Sequence, residues 1–277
     1  MVLGTSLTTI LNSHANTIPT TTSSTRPGSP STGDAYFETD TKNYIIYDGA
    51  NWRAYGNDGV NYGANDYSAA LDGTDDRVEL GNITSLNSTS AFSISLWVKL
   101  SLSAASPSYF YQSGSDTFAN TISFYQSSAL DFLIGKGGST YAGARYSGSV
   151  KDNTWHHLAA VYNGSTLTIY LDGSVPTQSA IGTSVPSTTV STAGNNPHIG
   201  SKTDGTSEFT GNIDDFAIFN AALTAIEVSN IYNSAAYREN KLQHLYRFEN
   251  NYNDTVGSNN GTAQGDPVLD NTTARPY

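Results

Sequence analysis

The stretch DNTWHHLAAVYNGSTLTIYLDGS, Asp152 to Ser174, decides how this chain folds. Read with period two, Trp155, His157, Ala159 and Val161 point to one side of a strand. His156, Leu158, Ala160 and Tyr162 point to the other. Asn163-Gly164 follows, a dipeptide that tolerates positive φ at both central positions of a type I′ turn. The return arm sets Leu167, Ile169 and Leu171 against Thr166, Thr168 and Tyr170, and Asp172-Gly173 turns the chain again. An isolated hairpin is marginal in water. This one needs a sheet beside it and a second sheet over its apolar face.

The rest of the chain supplies those strands. In FSISLWVKL, Phe92, Ile94, Leu96, Val98 and Leu100 alternate with Ser93, Ser95, Trp97 and Lys99, a strand with one buried face. Further strands are expected at about Ser108–Gln112, Thr121–Gln126, Leu130–Gly135 and Ala142–Tyr146, and a Ser/Thr/Pro-rich loop over Val175–Asn196. Thr224 and Glu227 have the spacing of a capping box, with Leu223 and Val228 as its hydrophobic staple and Ile226 and Ile231 extending the buried stripe of a short helix. The expected fold class is all-β: a two-sheet antiparallel sandwich with one short C-terminal helix, plus a small N-terminal β meander.

Two resemblances sharpen this reading. TWHHLAAVY followed by LTIYLDG, together with ALDGTDDRVEL and FSISLWVK, resembles the laminin G-like domains of the concanavalin A-like lectin/glucanase type, which implies a jelly roll. TRPGSPSTGDAYFETDT followed by YDGANW, over Thr25 to Trp52, resembles a short module of phage tail and fibre proteins, which implies a virion structural component. The expected organisation is an N-terminal arm and Pro/Ser/Thr linker over 1–33, a small aromatic sheet over 34–56 for oligomerisation or attachment, and a jelly roll over 64–277. Tyr36, Phe37, Tyr44, Ile45, Ile46, Tyr47, Trp52 and Tyr55 crowd the small module, too many for so short a segment to bury by itself.

The C-terminal piece departs from the laminin G-like order. A strand over Leu245–Glu249 and Asp254-x-x-Gly257-x-x-x-Gly261-Thr262 follow the helix, whereas in the family that pattern precedes the Leu-Asp-Gly strand. The strand, within about 242–262, either completes its own sheet in a permuted domain, is donated to a neighbouring subunit, or begins a lost repeat.

Composition narrows function. Of 277 residues only 13 % are charged, about half the roughly 25 % of ordinary globular chains. A formal net charge of −11 with no Lys/Arg cluster argues against nucleic acid as a partner. The absence of Cys excludes disulfides and thiolate chemistry, and no run is apolar enough to insert in a membrane as a helix. The N-terminal residues have no basic n-region or long apolar core, so release with assembled particles is expected rather than secretion by a leader.

No catalytic residues are expected. Glycoside hydrolysis needs two carboxylates across a cleft, whereas Asp214-Asp215 and Asp75-Asp76 are adjacent pairs that on a regular strand face opposite ways. His156 and His157 are likewise read as structural, one packed inside and one outside. Calcium is the candidate cofactor: the resemblance places Asp214 at the head of the last long strand, with backbone carbonyls of the Asp254–Gly261 loop completing the oxygen set. Trp97, Tyr109, Tyr111, Tyr125, Tyr141 and Tyr146 are available to a sugar, but no carbohydrate site is assigned.

The function expected is that of a phage appendage or capsid decoration protein, self-assembled as a trimer. It would be joined to other virion proteins through residues 1–56 and display a lectin-like domain to host-surface glycans. Its expected localisation is the virion, extracellular after release. A purely structural decoration protein and a secreted bacterial polysaccharide-binding module are the alternatives.

Overall fold

The structure, a computed structural model, describes residues 19–22, 24–38, 44–47, 49, 52–55, 67–114, 121–135, 140–186, 196–234 and 241–273. The expected N-terminal arm, the turn over 39–43 and the linker over 56–64 lie outside the described residues. The chain divides into two compact units, Met1–Ala64 with Ser229–Arg238 and Tyr277, and Asn65–Val228 with Glu239–Pro276.

In the first unit, β1 (Thr20–Thr21), β2 (Ala35–Glu38), β3 (Tyr44–Tyr47) and β4 (Trp52–Tyr55) form one sheet in that order. The expected three-strand meander is present as β2-β3-β4, and β1 extends it to a mixed sheet, running parallel to β2 with Thr20 opposite Phe37. The extended backbone around Pro19 covers the open edge of β2, and the Phe37 N–H donates to the Pro19 carbonyl at 2.9 Å. Ile45 and Ile46 are buried, whereas Tyr36, Phe37, Tyr44, Tyr47 and Trp52 stay partly exposed and touch one another edge-on or tilted. Glu38 is fully buried and is neutralised by Arg26.

The second unit is a sandwich. Its strands in chain order are β5 (Ser68–Asp72), β6 (Arg77–Glu79), β7 (Phe92–Leu100), β8 (Ser108–Gly114), β9 (Thr121–Gln126), β10 (Leu130–Gly135) and β11 (Tyr141–Tyr146). Then come β12 (Trp155–Tyr162), β13 (Leu167–Leu171), β14 (Gln178–Gly182), β15 (His198–Ile199) and β16 (Thr210–Phe219). Helix α1 (Ala225–Ser234) precedes β17 (Leu242–Tyr246), β18 (Thr262–Gln264) and β19 (Val268–Asp270).

Among the described residues one sheet has the order β14-β11-β10-β9-β8-β15-β6-β18 and the other β13-β12-β7-β16-β5-β19, with β17 also on β16. The alternating positions meet between them: Phe92, Ile94, Leu96, Val98 and Leu100 of β7, Leu158, Ala160 and Tyr162 of β12, and Phe110, Phe124, Phe132 and Ile134 from the opposite sheet. Each such Val, Leu, Ile or Phe side chain stabilises the fold by about 1.5–3 kcal/mol through removal from water.

The central hairpin has the expected facing, with Leu158 opposite Leu171, Ala160 opposite Ile169 and Tyr162 opposite Leu167. Its turn differs. That register leaves four residues in the loop, and of these Gly164 has positive φ (87°) while Asn163 does not. The Asn163 Oδ1 instead accepts from the Ser165 and Thr166 N–H groups at 3.0 and 2.8 Å, so a side chain does the work expected of the backbone. The tight turn with positive φ at both central residues is Asp172 (49°) and Gly173 (76°), closed by Leu171 and Ser174 bonding in both directions.

The C-terminal strands pair within this chain: β17 with β16, β18 with β6 and β19 with β5. The ten-residue β16 accommodates this by carrying β5 along Thr210–Ile213 and β17 along Phe216–Phe219. Between the two lies a bulge at Asp214–Ala217, with Asp215 at φ 43°. Strict alternation therefore fails there, and Asp214 and Asp215 are both fully buried.

The expected loop over Val175–Asn196 contains β14, and the expected strand over Leu245–Glu249 is shifted to Leu242–Tyr246. The capping box forms as read: Thr224 N–H donates to Glu227 Oε2 at 2.8 Å, Glu227 N–H donates to Thr224 Oγ1 at 3.3 Å, and Leu223 and Val228 are buried. Ile231 is buried, but Ile226 is 71 % exposed and contributes nothing to the stripe.

Candidate functional site

Core packing uses one face of the eight-stranded sheet, and the other carries a row of polar and aromatic side chains in which Tyr109 and Asp131 are buried and Tyr125 and Arg145 partly exposed. On β8 to β11, Phe110, Phe124, Phe132 and Ala144 face the core, so the residues alternating with them face away. Register then lines up Tyr109 opposite Tyr125, Tyr125 opposite Asp131, and Asp131 opposite Arg145. Four residues from four strands form one row, with neighbours about 4.8 Å apart.

The row is internally connected. Tyr109 and Tyr125 stack with ring centroids 4.7 Å apart and an interplanar angle of 16°. The Lys202 ammonium lies 5.7 Å from the Tyr109 ring centroid, within cation–π range. Arg145 grips Asp131 with two parallel bonds, Nε to Oδ1 and Nη2 to Oδ2, both at 2.7 Å. Asp131 is wholly buried while the Arg145 side chain is 41 % exposed. Burial first, and then the neighbouring Asp131 charge, push the Tyr125 phenol up, so it stays a neutral hydroxyl. The hydrogen bond to Asp131 holds the guanidinium as a permanent cation. The result is a fixed, planar donor group presented beside a stacked pair of phenols.

Of the aromatics noted in the sequence, Tyr109 and Tyr125 are brought together here. Tyr111 is fully buried against Phe216, and Trp97 is buried against the ring of His157 at 5.4 Å. Tyr141 and Tyr146 are partly buried. Asp131, Arg145 and Lys202 carried no signal in the sequence, because nothing local says that residues from separate strands will share a rung.

The two histidines divide, though not by simple alternation. His157 is fully buried on the outer face of the seven-stranded sheet, with Nε2 2.9 Å from Ser95 Oγ. His156 shares its side of β12 with core residues but sits at the strand end, between Asp172 (Nδ1 to Oδ2, 2.8 Å) and Asp152 (Nε2 to Oδ2, 3.0 Å). The hydrogen bond to Asp172, helped by Asp152 and opposed by burial, pushes its pKa up to about 9. His156 is therefore a cation at neutral pH, held by two carboxylates.

Carboxylates at the loop ends form two further groups. Asp254 organises its loop: Oδ1 accepts from the backbone N–H groups of Leu245, Val256 and Gly257 at 3.1, 3.2 and 2.9 Å, and Oδ2 accepts from His244 Nδ1 at 2.6 Å. Burial would raise this carboxyl, but the His244 and backbone donors together hold it below the usual carboxylate range. The glycine spacing has a steric cause. A Cβ at Gly257 would stand 2.4 Å from Asp254 Oδ2, and one at Gly261 would stand 2.6 Å from Val78 Cγ1.

Asp72, Asp75 and Asp76, after β5, bring one oxygen each within 4.8 Å of one another. Asp76 is buried and accepts the N–H groups of Asp72 and Asp266 at 2.9 and 2.7 Å, whereas Asp72 and Asp75 are exposed. Three carboxylates with no histidine or thiolate suit a hard, oxygen-preferring divalent cation such as calcium. The sequence reading passed over this trio as an adjacent pair. Asp214, the residue first expected to hold calcium, is fully buried in the β16 bulge, where its Oδ1 accepts the Asp215 N–H at 2.7 Å.

A sequence profile of a laminin G family, described as the Concanavalin A-like lectin/glucanases superfamily, matches residues 72–229. No curated protein sequence matches the chain. Among solved structures, a Bacteroides ovatus protein provisionally described as carbohydrate binding aligns with a TM-score of 0.59 at 13 % identity, covering 89 % of this chain and 72 % of that one. A heptameric SAP-like pentraxin of Limulus polyphemus aligns with a TM-score of 0.49 at 14 % identity, over 76 % and 96 % of the two chains. Domain 4 of an extracellular arabinanase from Geobacillus stearothermophilus, solved with arabinotriose, gives 0.46 at 22 % identity over 60 % and 76 %.

Proposed function

The chain belongs to the concanavalin A-like lectin/glucanase superfamily, and from that premise we propose that it is a glycan-binding, non-catalytic protein whose sandwich presents the Tyr109–Tyr125–Asp131–Arg145 row to host-surface sugars. The row itself carries the reading. A buried ion pair adds little net stability over an apolar pair of the same volume. Folding therefore does not require Asp131 and Arg145 on that face. Sugar recognition does use such a group: a planar donor held rigid, flanked by phenol hydroxyls and an ammonium that bond to ring hydroxyls.

We assign the protein to a virion, as a tail appendage or capsid decoration, on the resemblance of Thr25–Trp52 to phage tail modules. The partly exposed Tyr36, Tyr47 and Trp52 of the small sheet support self-association through residues 34–56, and residues 1–56 would attach the protein to other virion components. A trimer would multiply weak contacts into firm attachment. Calcium, implied by the fold family, fits the Asp72, Asp75 and Asp76 oxygens, which would hold it and brace the β5–β6 loop.

Two measurements test this. On a glycan array the intact oligomer is expected to bind a defined sugar class, with binding lost in the paired Asp131→Leu and Arg145→Met variant, which removes both charges together and leaves no buried carboxylate unpaired, while the melting temperature stays near that of the parent. A blank array would leave only a structural decoration role. Immuno-gold labelling of intact particles is expected to place the protein on the particle surface; its absence there, together with glycan binding, would favour a secreted polysaccharide-binding module.

A further inference from the structure

The sandwich is closed by side chains rather than strands along one flank, and there a cleft of about 180 Å³ opens between β14 and the Asn163–Thr166 turn. Leu167, Ala180 and Val185 give it apolar walls, and Ser165 and Thr166 add hydroxyls; Ser179 lies opposite Arg145 in register, so its side chain faces away from the cleft. Its lining includes no charged residue.

The walls are held apart at a fixed separation. β13 and β14 are the edge strands of the two sheets and do not pair with each other. Instead the Gln178 side chain of β14 reaches across to Ile169 of β13. Its Oε1 accepts the Ile169 N–H at 2.9 Å and its Nε2 donates to the Ile169 carbonyl at 3.2 Å. One amide thus replaces a ladder step, satisfies the open edge and leaves the space beside it unfilled. Thr166 is exposed at the mouth of that space.

We propose that this cleft binds one ring of a neutral sugar, a subsite separate from the Tyr109–Arg145 row; the inference rests on the glycan-binding reading above. Size, polarity and charge agree on the class. A dry cavity of about 150 Å³ accepts a six-membered ring such as benzene. A pyranose has the same ring size, an apolar C–H face for Leu167 and Val185, and hydroxyls for the rim. An anionic sugar would find no cation in the lining, and its desolvation would go uncompensated.

The test uses the full chain, labelled with ¹⁵N and titrated with the methyl glycosides of glucose, galactose, mannose and rhamnose. Amide shifts are expected at Ser165, Thr166, Ser179 and Ala180 with at least one of them. Ala180 and Thr166 are exposed, so Ala180→Trp and Thr166→Ala should fold. Ala180→Trp fills the cleft and is expected to weaken binding about tenfold or more, and Thr166→Ala several-fold. Shifts confined to the Tyr125–Arg145 row, no shift with any glycoside, or unchanged affinity in Ala180→Trp would overturn the cleft. Parallel glycan arrays separate the two readings. Binding kept in Ala180→Trp but lost in the paired Asp131→Leu and Arg145→Met variant sinks the cleft alone, whereas a blank array for the parent chain sinks both.

Discussion

The Asp254 loop and the Asp72–Asp76 loop both gather carboxylates at strand ends, and they solve opposite problems. Asp254 is one buried acid surrounded by donors, including three backbone N–H groups and His244. Its charge is fully used by the protein, so the loop is complete as it stands. At Asp72, Asp75 and Asp76 three acids share a few ångströms, and the donors given to them are backbone N–H groups without positive charge. Like charges at that range repel. The difference teaches that an aspartate in a family-like loop pattern need not be a ligand: the count of donors around it, not its position in a motif, separates a structural knot from a cation site.

The largest effect should come from the complete loop. Asp254→Ala leaves several buried N–H groups and His244 without their acceptor, and is expected to destabilise the fold by about 3–5 kcal/mol. Gly257→Ala should be comparably damaging, because its Cβ would press on Asp254, His244 and the Gln243 carbonyl at once. Urea denaturation midpoints measure both; losses below 1 kcal/mol would mean that the loop tolerates an empty centre.

Next comes the incomplete loop. Calcium at a hundredfold excess over Kd is expected to stabilise the folded chain by about 2.7 kcal/mol, read as a rise in melting temperature. Asp75→Asn and Asp76→Asn should abolish that rise and Asp214→Asn should leave it. The reverse pattern would return the cation to Asp214 and the Asp254–Gly261 carbonyls, and no rise at all would remove calcium from the description.

A third carboxylate pair lies between the extremes, because its cation is built in. Asp152 and Asp172 hold His156, whose pKa rises from 6.5 to about 9 on folding. A raised pKa gives stability that is fully present below the unfolded value of 6.5 and is lost as pH climbs through 9. With partial exposure discounted, the loss between pH 7 and pH 10 should be about 1–2 kcal/mol. His156→Gln should flatten that slope, and an unchanged slope would show that the imidazole is not the titrating group. The smallest effect belongs to calcium-free Asp75→Asn. It should lie within about 0.5 kcal/mol of the parent and on the stabilising side, since it relieves repulsion at an exposed position.

Much of the fold was legible in the chain itself. The alternation in Phe92–Leu100 and Trp155–Tyr162 fixed which side chains meet in the core, since a strand side chain that is apolar every second residue has one stable way to face. Thr224 and Glu227 announced the helix start because capping is settled within four residues. Errors cluster where a non-local partner decides: Thr20–Thr21 became a strand by lying on β2, Gln178–Gly182 by lying on β11, and the β16 bulge arose because β5 and β17 share its edge. The Asn163 turn misled for a related reason, since its side-chain oxygen took the role that dipeptide statistics give to the backbone.

The sequence by itself therefore determined most of the strands, their buried faces and the helix cap, which are settled by neighbours a few residues apart. Only the tertiary structure decided that Tyr109, Tyr125, Asp131 and Arg145 share a rung, that Asp76 joins Asp72 and Asp75, and that two sheet edges leave a cleft spanned by Gln178. Register between strands is set by the whole core at once, and a surface or cleft built across strands exists only after that register is fixed.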